Sequence, residues 1–109
     1  MTDFPPLPPL PPARAETHAD RELETAVRAC LENLARKRDF TNARGDPLSV
    51  HEVAALAGRF AAQCSGGRAR LAPYRTREHP WVEVVRELHD RLAAEETKFW
   101  AIARGTANV

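Results

Sequence analysis

The sequence has little of what catalysis and metal binding require. Its 109 residues include four histidines, which are scattered along the chain, and two cysteines, which form no C-x-x-C pair. It has no H-x-x-x-H pair and no glycine-rich phosphate loop, so the common zinc and nucleotide motifs are missing. The sequence therefore predicts a protein that is not an enzyme, with no catalytic residue, no cofactor and no metal ion.

The two cysteines, Cys30 and Cys64, lie on apolar helical stripes. A free cysteine in such a position behaves as a small buried hydrophobic side chain, and its thiol is inert. We therefore expect two reduced core thiols rather than nucleophiles. A disulfide between them is the alternative.

An excess of one charge and long apolar runs are also missing. The 16 Lys and Arg residues nearly balance the 15 Asp and Glu residues, and a net charge of +1 argues against coating nucleic acid by charge alone. No apolar run approaches the roughly 18 residues that span a membrane, and the N-terminus lacks a secretion-signal pattern. We expect a cytoplasmic protein that does not contact membranes. Arginine greatly outnumbers lysine, and with the many alanines and prolines this indicates a GC-rich, bacterial genome.

Proline is concentrated at the start of the chain, between Pro5 and Pro12. Such a run forces an extended polyproline II conformation without internal hydrogen bonds. Residues 1–15 are therefore predicted to be a flexible tail. The stretch PLPPAR within it fits P-x-x-P-x-R, a pattern that docks on SH3 grooves, and a semi-rigid exposed tail is the plainer interpretation.

Residues 16–109 show helical periodicity throughout and no strand pattern, which predicts a single all-α domain. Helices are expected over about 17–38, 49–64 and 80–104. The first carries an apolar stripe of Leu23, Val27, Cys30, Leu31 and Leu34. The second begins at a capping box formed by Ser49 and Glu52 and ends at Ser65-Gly66-Gly67. A domain this small buries only about 60–65% of its unfolded surface, so dimerisation is expected to complete it.

The stretch LSVHEVAALAGRF, residues 48–60, resembles the opening helix of a DNA-binding helix-turn-helix. A recognition helix after a turn at Gly58 would contain Gly66 and Gly67 at its centre, which costs about 2 kcal/mol and offers no side chain to a base. We therefore expect the second helix to continue through Gly58. Nucleic-acid binding through the basic, presumed irregular loop Arg59–Arg77 remains an alternative, with Arg68, Arg70, Arg75 and Arg77 as its phosphate contacts.

The third predicted helix has more apolar surface than a small core needs. On a helical wheel its apolar arc spans about 160°, against the roughly 100° that core packing requires. Two shorter helices are not expected to cover both tryptophans and Phe99, so the excess predicts contact with a second chain, most simply a homodimer. The predicted protein-binding residues are Trp81, Phe99, Trp100, Ile102 and Arg104, because tryptophan and arginine concentrate at interface hot spots. Alternatively, the helix end folds back onto the core. Glu95 and Glu96 interrupt the same face and either pair with a partner's arginines or stay solvated.

The helical stretches TAVRACLENLARKRDF, SVHEVAALAGRFAAQC and PWVEVVRELHDRLAAEETKFWAIARG, together with the size of the chain, resemble the small α-helical anti-activators of bacterial quorum sensing. The resemblance rests on the whole chain rather than on one motif. It implies a protein that dimerises, binds the ligand-binding domain of a LuxR-type transcription regulator, and blocks that regulator's dimerisation and DNA binding.

Sequence and resemblance together predict a small helical protein–protein interaction module that acts as a negative regulator. A nucleic-acid-binding regulator is the first alternative, and a structural subunit of a larger complex is the second.

Overall fold

The computed structural model describes residues 18–36 and 38–107. The all-α prediction is confirmed: the chain forms helices α1 (His18–Ala35), α2 (Val50–Leu71) and α3 (Val82–Ala103), and a 3-10 turn, Ala72–Tyr74, follows α2. Over the described ranges, strand-like pairing is limited to one isolated bridge between Thr41 and Pro47. The predicted tail of residues 1–15 and the expected helix start at residue 17 lie outside the described residues.

Helix α1 packs the predicted apolar stripe against the other two helices. Four residues of the stripe are buried, namely Leu23, Val27, Cys30 and Leu34. The fifth, Leu31, is partly buried against the same core. The helix ends at Ala35 rather than at residue 38. The N–H of Arg36 still donates to the carbonyl of Glu32, at 3.1 Å, and closes the last turn.

The connection from α1 to α2 turns at Asn42. Its Oδ1 accepts hydrogen bonds from the backbone N–H groups of Arg44, at 2.8 Å, and Asp46, at 3.0 Å. Gly45 lies between them with a φ of 85°, a left-handed conformation that glycine adopts without strain. This turn leads the chain back to α2.

Helix α2 begins with the predicted capping box. Ser49 Oγ accepts a hydrogen bond from the Glu52 N–H at 3.2 Å, and Glu52 Oε1 accepts one from the Ser49 N–H at 3.1 Å. These bonds, first that from the Ser49 backbone and then that with its side chain, hold the pKa of the Glu52 carboxyl below its ordinary value of 4.5. They satisfy N–H groups that a helix start otherwise leaves unpaired.

The prediction that α2 ends at Ser65-Gly66-Gly67 is wrong, because the helix continues to Leu71. Gly67 lies where the three helices converge, and a Cβ there would be 3.2 Å from Leu92 Cδ1 and 3.4 Å from Cys30 Sγ. Glycine at this position therefore permits close helix packing and does not end the helix. Two interior glycines cost about 2 kcal/mol of helix propensity, and the complete burial of Leu71 offsets a similar amount. The expectation that α2 continues through Gly58 is confirmed.

Helix α3 lies antiparallel to α2 and follows closely the predicted range of 80–104. At its start, His79 Nδ1 accepts a hydrogen bond from the Trp81 N–H at 3.0 Å. At its end, Gly105 has a φ of 76°, and the Thr106 N–H donates to the Ala101 carbonyl at 2.9 Å. This is the Schellman arrangement, which pairs the last carbonyls of a helix.

The core covers more of α3 than the sequence suggested. Trp81 is completely buried and Phe99 is 2% exposed, so of the three aromatic residues that were not expected to be covered together, Trp100 alone is exposed, at 37%. Phe40, on the α1–α2 connection, supplies the missing cover: its ring lies 6.4 Å from that of Phe99 and 5.7 Å from that of Phe60. The connection thus helps to cover Phe60 of α2 and Phe99 of α3.

Candidate protein-binding site

A groove lies at the end of the α2/α3 pair remote from the turn that joins them. It has a volume of about 510 Å³ and runs between the start of α2 and the end of α3. Most of its lining is apolar, with a histidine and an arginine among the polar groups. We call it the α2/α3 groove; its lining residues are Leu48, Val50, His51, Val53, Ala54, Ile102, Ala103, Arg104, Gly105 and Ala107.

Val50 is the most exposed large hydrophobic residue of the described chain, at 83%. It continues the helical stripe of Val53, Ala54 and Ala57 by one turn toward the start of α2. Val50 lines the groove together with Val53 and Ala54 of α2 and with Ile102 and Ala103 at the end of α3. The first residue of the stripe is thus exposed, whereas the residues after it are partly or completely buried.

Trp100 lies one turn before Ala103 and Arg104, two residues at the end of α3 that line the groove, and is not itself one of the lining residues. It is 37% exposed, and its indole N–H donates to Glu96 Oε2 at 3.1 Å. The other carboxylate oxygen of Glu96 accepts hydrogen bonds from Arg68 Nε and Nη2, at 2.9 and 2.8 Å. Arg68 thus holds Glu96, and Glu96 holds the indole, which limits the orientations that the exposed ring can adopt.

This network gives Glu96 of the acidic pair in α3 a role that neither interpretation included. Glu96 forms an ion pair with Arg68 of the same chain, so its charge is already paired without an arginine from a partner. Arg68 was predicted as a phosphate contact and Trp100 as a protein-binding residue. In the structure both side chains donate hydrogen bonds to the carboxylate of Glu96. The sequence analysis did not connect them, because residues 68 and 96 lie on different helices.

The five predicted protein-binding residues are not brought together at one site. Ile102 and Arg104 line the α2/α3 groove, and Trp100 lies one helical turn before Arg104. Phe99 packs inward between the rings of Phe40 and Phe60, with Arg38 and Lys98 near its own ring. Trp81 is at the opposite end of α3, about 28 Å from Trp100 at 1.5 Å per residue.

The predicted nucleic-acid contacts are also dispersed. Arg68 and Arg70 lie on α2, so the expected irregular loop does not begin until after Leu71. Arg70 lines a different groove, between α1 and α2, and the backbone carbonyl of Arg75 accepts a hydrogen bond from Arg86 Nε at 3.0 Å. Arg77 is engaged in an interaction of its own. Two of the four predicted contacts thus lie on α2, and the other two, Arg75 and Arg77, follow the 3-10 turn.

Of the ten groove residues, two were predicted as site residues, Ile102 and Arg104, and the eight others, among them Val50, His51 and Ala54, were not. The helical spacing that indicates a shared face was present in the sequence, since Val50 stands three residues before Val53 and four before Ala54. We interpreted these residues only as the start of a helix. Recognising the groove required knowing where α3 ends against α2, which periodicity within one helix does not give.

Burial raises the pKa of both thiols, Cys30 and Cys64, although nearby arginines act in the opposite direction. Both cysteines are free and buried, in agreement with the expectation of reduced core thiols. Among the described residues, no group of three or more His, Cys, Asp or Glu side chains could hold a metal ion. None of the helices in the described ranges is long and apolar enough to cross a membrane.

Comparison of the chain with protein-family models, with curated proteins and with solved structures finds no match. The functional argument therefore depends on the residues of this chain alone.

Proposed function

We propose that this protein is a small α-helical protein–protein interaction module, and that an apolar segment of its partner docks in the α2/α3 groove. The observation that carries the proposal is the uncovered end of the α2 stripe. Val50 is 83% exposed in an apolar groove, and Trp100, which is 37% exposed, lies one helical turn before the groove residue Arg104. Single exposed apolar residues are common on protein surfaces, whereas two large ones at the same end of a helix pair favour an interface.

The chemistry of the groove favours a protein partner. Apolar anchors in the centre with a charged rim are the usual composition of such interfaces. Arg104 and His51 provide that rim here. Trp100 is held by Glu96 before any partner arrives, so less side-chain entropy is lost when the ring is covered.

We further propose the regulatory role that the resemblance to quorum-sensing anti-activators implies. In this role the partner is a LuxR-type transcription regulator, and occupation of its apolar surface blocks its dimerisation and DNA binding. A homodimer of the chain is part of this proposal. The burial argument for that homodimer now depends on Val50 and Trp100, because Trp81 and Phe99 are covered within one chain.

The test is binding of the purified protein to the ligand-binding domain of a LuxR-type regulator from the same genome. Val50→Asp and Trp100→Ala are compared with Ala55→Asp, which adds the same charge at an exposed position of α2 outside the groove. We expect the two groove variants to weaken binding about 30-fold or more, which corresponds to about 2 kcal/mol, and the control to leave it unchanged. Light scattering of the free protein reports whether two copies associate.

Two results would contradict the proposal at different levels. If no LuxR-type regulator binds, the anti-activator role is wrong. If a regulator binds and all three variants bind it as the wild type does, the α2/α3 groove is not the interface. An apolar interface should also survive a high-salt wash, whereas bound nucleic acid would be lost in it.

A further inference from the structure

The charged groups that line the α2/α3 groove are of one sign. His51 and Arg104 can both be cationic, and among the described lining residues none has a carboxylate. Glu52, the acidic residue next in sequence, does not line the groove, and its carboxylate accepts a hydrogen bond from the Ser49 N–H in the capping box. A ligand in this groove therefore meets apolar side chains and positive charge.

The side chain of Arg104 takes no part in closing the helix end at which it stands. Backbone N–H groups close the last turn of α3, since those of Arg104, Gly105 and Thr106 donate to carbonyls of that turn at 3.0, 3.1 and 2.9 Å. The guanidinium group is exposed and forms no ion pair or hydrogen bond with another described residue. Its N–H donors are therefore open to a ligand.

Arg68 shows what an arginine beside this helix pair does when a carboxylate is within reach. Its Nη2 lies 2.8 Å from Glu96 Oε1, and its Nε donates to the same oxygen at 2.9 Å. Arg104 stands about two helical turns after Glu96 and has no such carboxylate among the described residues. The planar fork of a guanidinium group matches a carboxylate best, so the missing carboxylate is one that a partner can supply.

The apolar part of the groove restricts the kind of acidic ligand. Val50 is 83% exposed there, and only apolar side chains remove it from water with a gain in free energy. A phosphate backbone or a simple anion would pair with Arg104 but leave Val50 exposed. Apolar side chains with a carboxylate close by are typical of an amphipathic peptide segment.

We propose that the α2/α3 groove takes an amphipathic segment of a protein partner in which a Glu or Asp residue stands beside the apolar anchors. The anchors cover Val50, the carboxylate pairs with Arg104, and His51 provides a further N–H donor. This inference rests on the proposed function, because it specifies the segment that docks in the groove.

The experiment is a selection of random phage-displayed peptides on the purified full-length chain. Parallel selections use Arg104→Glu and, as the matched control, Arg59→Glu, which makes the same charge change at an exposed position of α2 outside the groove. A selected peptide is then synthesised with its glutamate and with lysine in its place, and fluorescence anisotropy measures both affinities. Val50→Asp tests whether the peptide occupies the groove. Thermal unfolding verifies that each variant is folded.

The wild type and Arg59→Glu should select apolar peptides with Asp or Glu within one helical turn of the anchors, and Arg104→Glu should select Lys or Arg at that place. The wild type should bind the glutamate peptide about tenfold more tightly than the lysine peptide, and Arg104→Glu should reverse this preference. Val50→Asp should weaken the binding of the glutamate peptide.

Two failures are distinguishable. Apolar peptides without an acidic preference that lose affinity for Val50→Asp would overturn this inference and leave the groove as the proposed interface. Peptides that bind Val50→Asp as tightly as the wild type would show that they do not use the groove, which would contradict both proposals. Selection of no peptide at all would overturn this inference, whereas binding of a regulator still decides the proposed function.

Discussion

Gly67 and Leu92 meet at the convergence of the three helices, where a Cβ on Gly67 would lie 3.2 Å from Leu92 Cδ1. Leu92 is completely buried, so its side chain has little room to move. Gly66, the preceding residue, has nothing within 4 Å of the same position. Two adjacent glycines of one helix therefore have different roles.

This difference predicts opposite effects of alanine. Gly66→Ala should stabilise the protein by about 0.5–1 kcal/mol, because alanine is the better helix former and meets no neighbour. Gly67→Ala gains the same propensity, but overpacking a core costs about 1–3 kcal/mol, so we expect a net loss. Urea unfolding of the two variants measures both changes. Equal stabilisation by both would mean that Leu92 and Cys30 can move aside.

Alanine substitutions of the two tryptophans should have different effects on the stability of the fold. Trp81 is completely buried, and Trp81→Ala should destabilise the fold by about 3–5 kcal/mol. Trp100 is partly exposed, and Trp100→Ala should cost no more than about 1–2 kcal/mol of stability. Thermal unfolding of both variants gives the comparison. A large stability loss for Trp100→Ala would assign its ring to the core and remove it from the proposed interface.

The capping box makes part of the stability dependent on pH. The pKa of Glu52 is lowered in the folded protein, so its ionised form is stabilised by folding. This contribution is complete above the ordinary value of 4.5 and disappears as the pH falls through the lower pKa of the folded state. Glu52→Gln should therefore narrow the stability difference between pH 7 and pH 3 relative to the wild type, as measured by urea unfolding at both pH values. An unchanged difference would show that the box does not hold the ionised carboxylate in solution.

Folding should protect the thiols of Cys30 and Cys64 from alkylation. Burial raises the pKa of Cys30 and Cys64, and the thiolate is the reactive form. At pH 8 we expect iodoacetamide to label the folded protein slowly and the urea-unfolded protein rapidly at both positions. Mass spectrometry of the labelled protein follows the two reactions. Fast labelling of Cys30 in the folded state would show that the neighbouring groove between α1 and α2 opens.

Periodicity predicted the helices well because each helix carries its own apolar stripe. Leu23 and Val27 in α1 were identified as core residues from spacing alone, and both are completely buried. The signal for the start of α2 was also reliable, because the side chains of Ser49 and Glu52 define it. These features are local, so the sequence contains them directly.

The features that the sequence did not reveal depend on contacts between helices. Gly67 looked like a helix end, because a glycine that terminates a helix and one that admits a neighbouring side chain are the same residue in a sequence. Phe40 stood in a predicted loop, and nothing local indicated that it would cover Phe99. The pairing of Arg68 with Glu96 likewise exists only once α2 and α3 lie side by side.

The α2/α3 pair also bears on how the chain folds. The two helices are consecutive in sequence and share the largest interface between helices, whereas α1 has a smaller interface with each of them. Contacts between consecutive helices require only a short loop to close, and helical proteins rich in such contacts fold within microseconds to milliseconds. The α2/α3 pair is therefore expected to form the folding nucleus, with α1 docking after it. The convergence at Gly67 would then be the last part of the core to close.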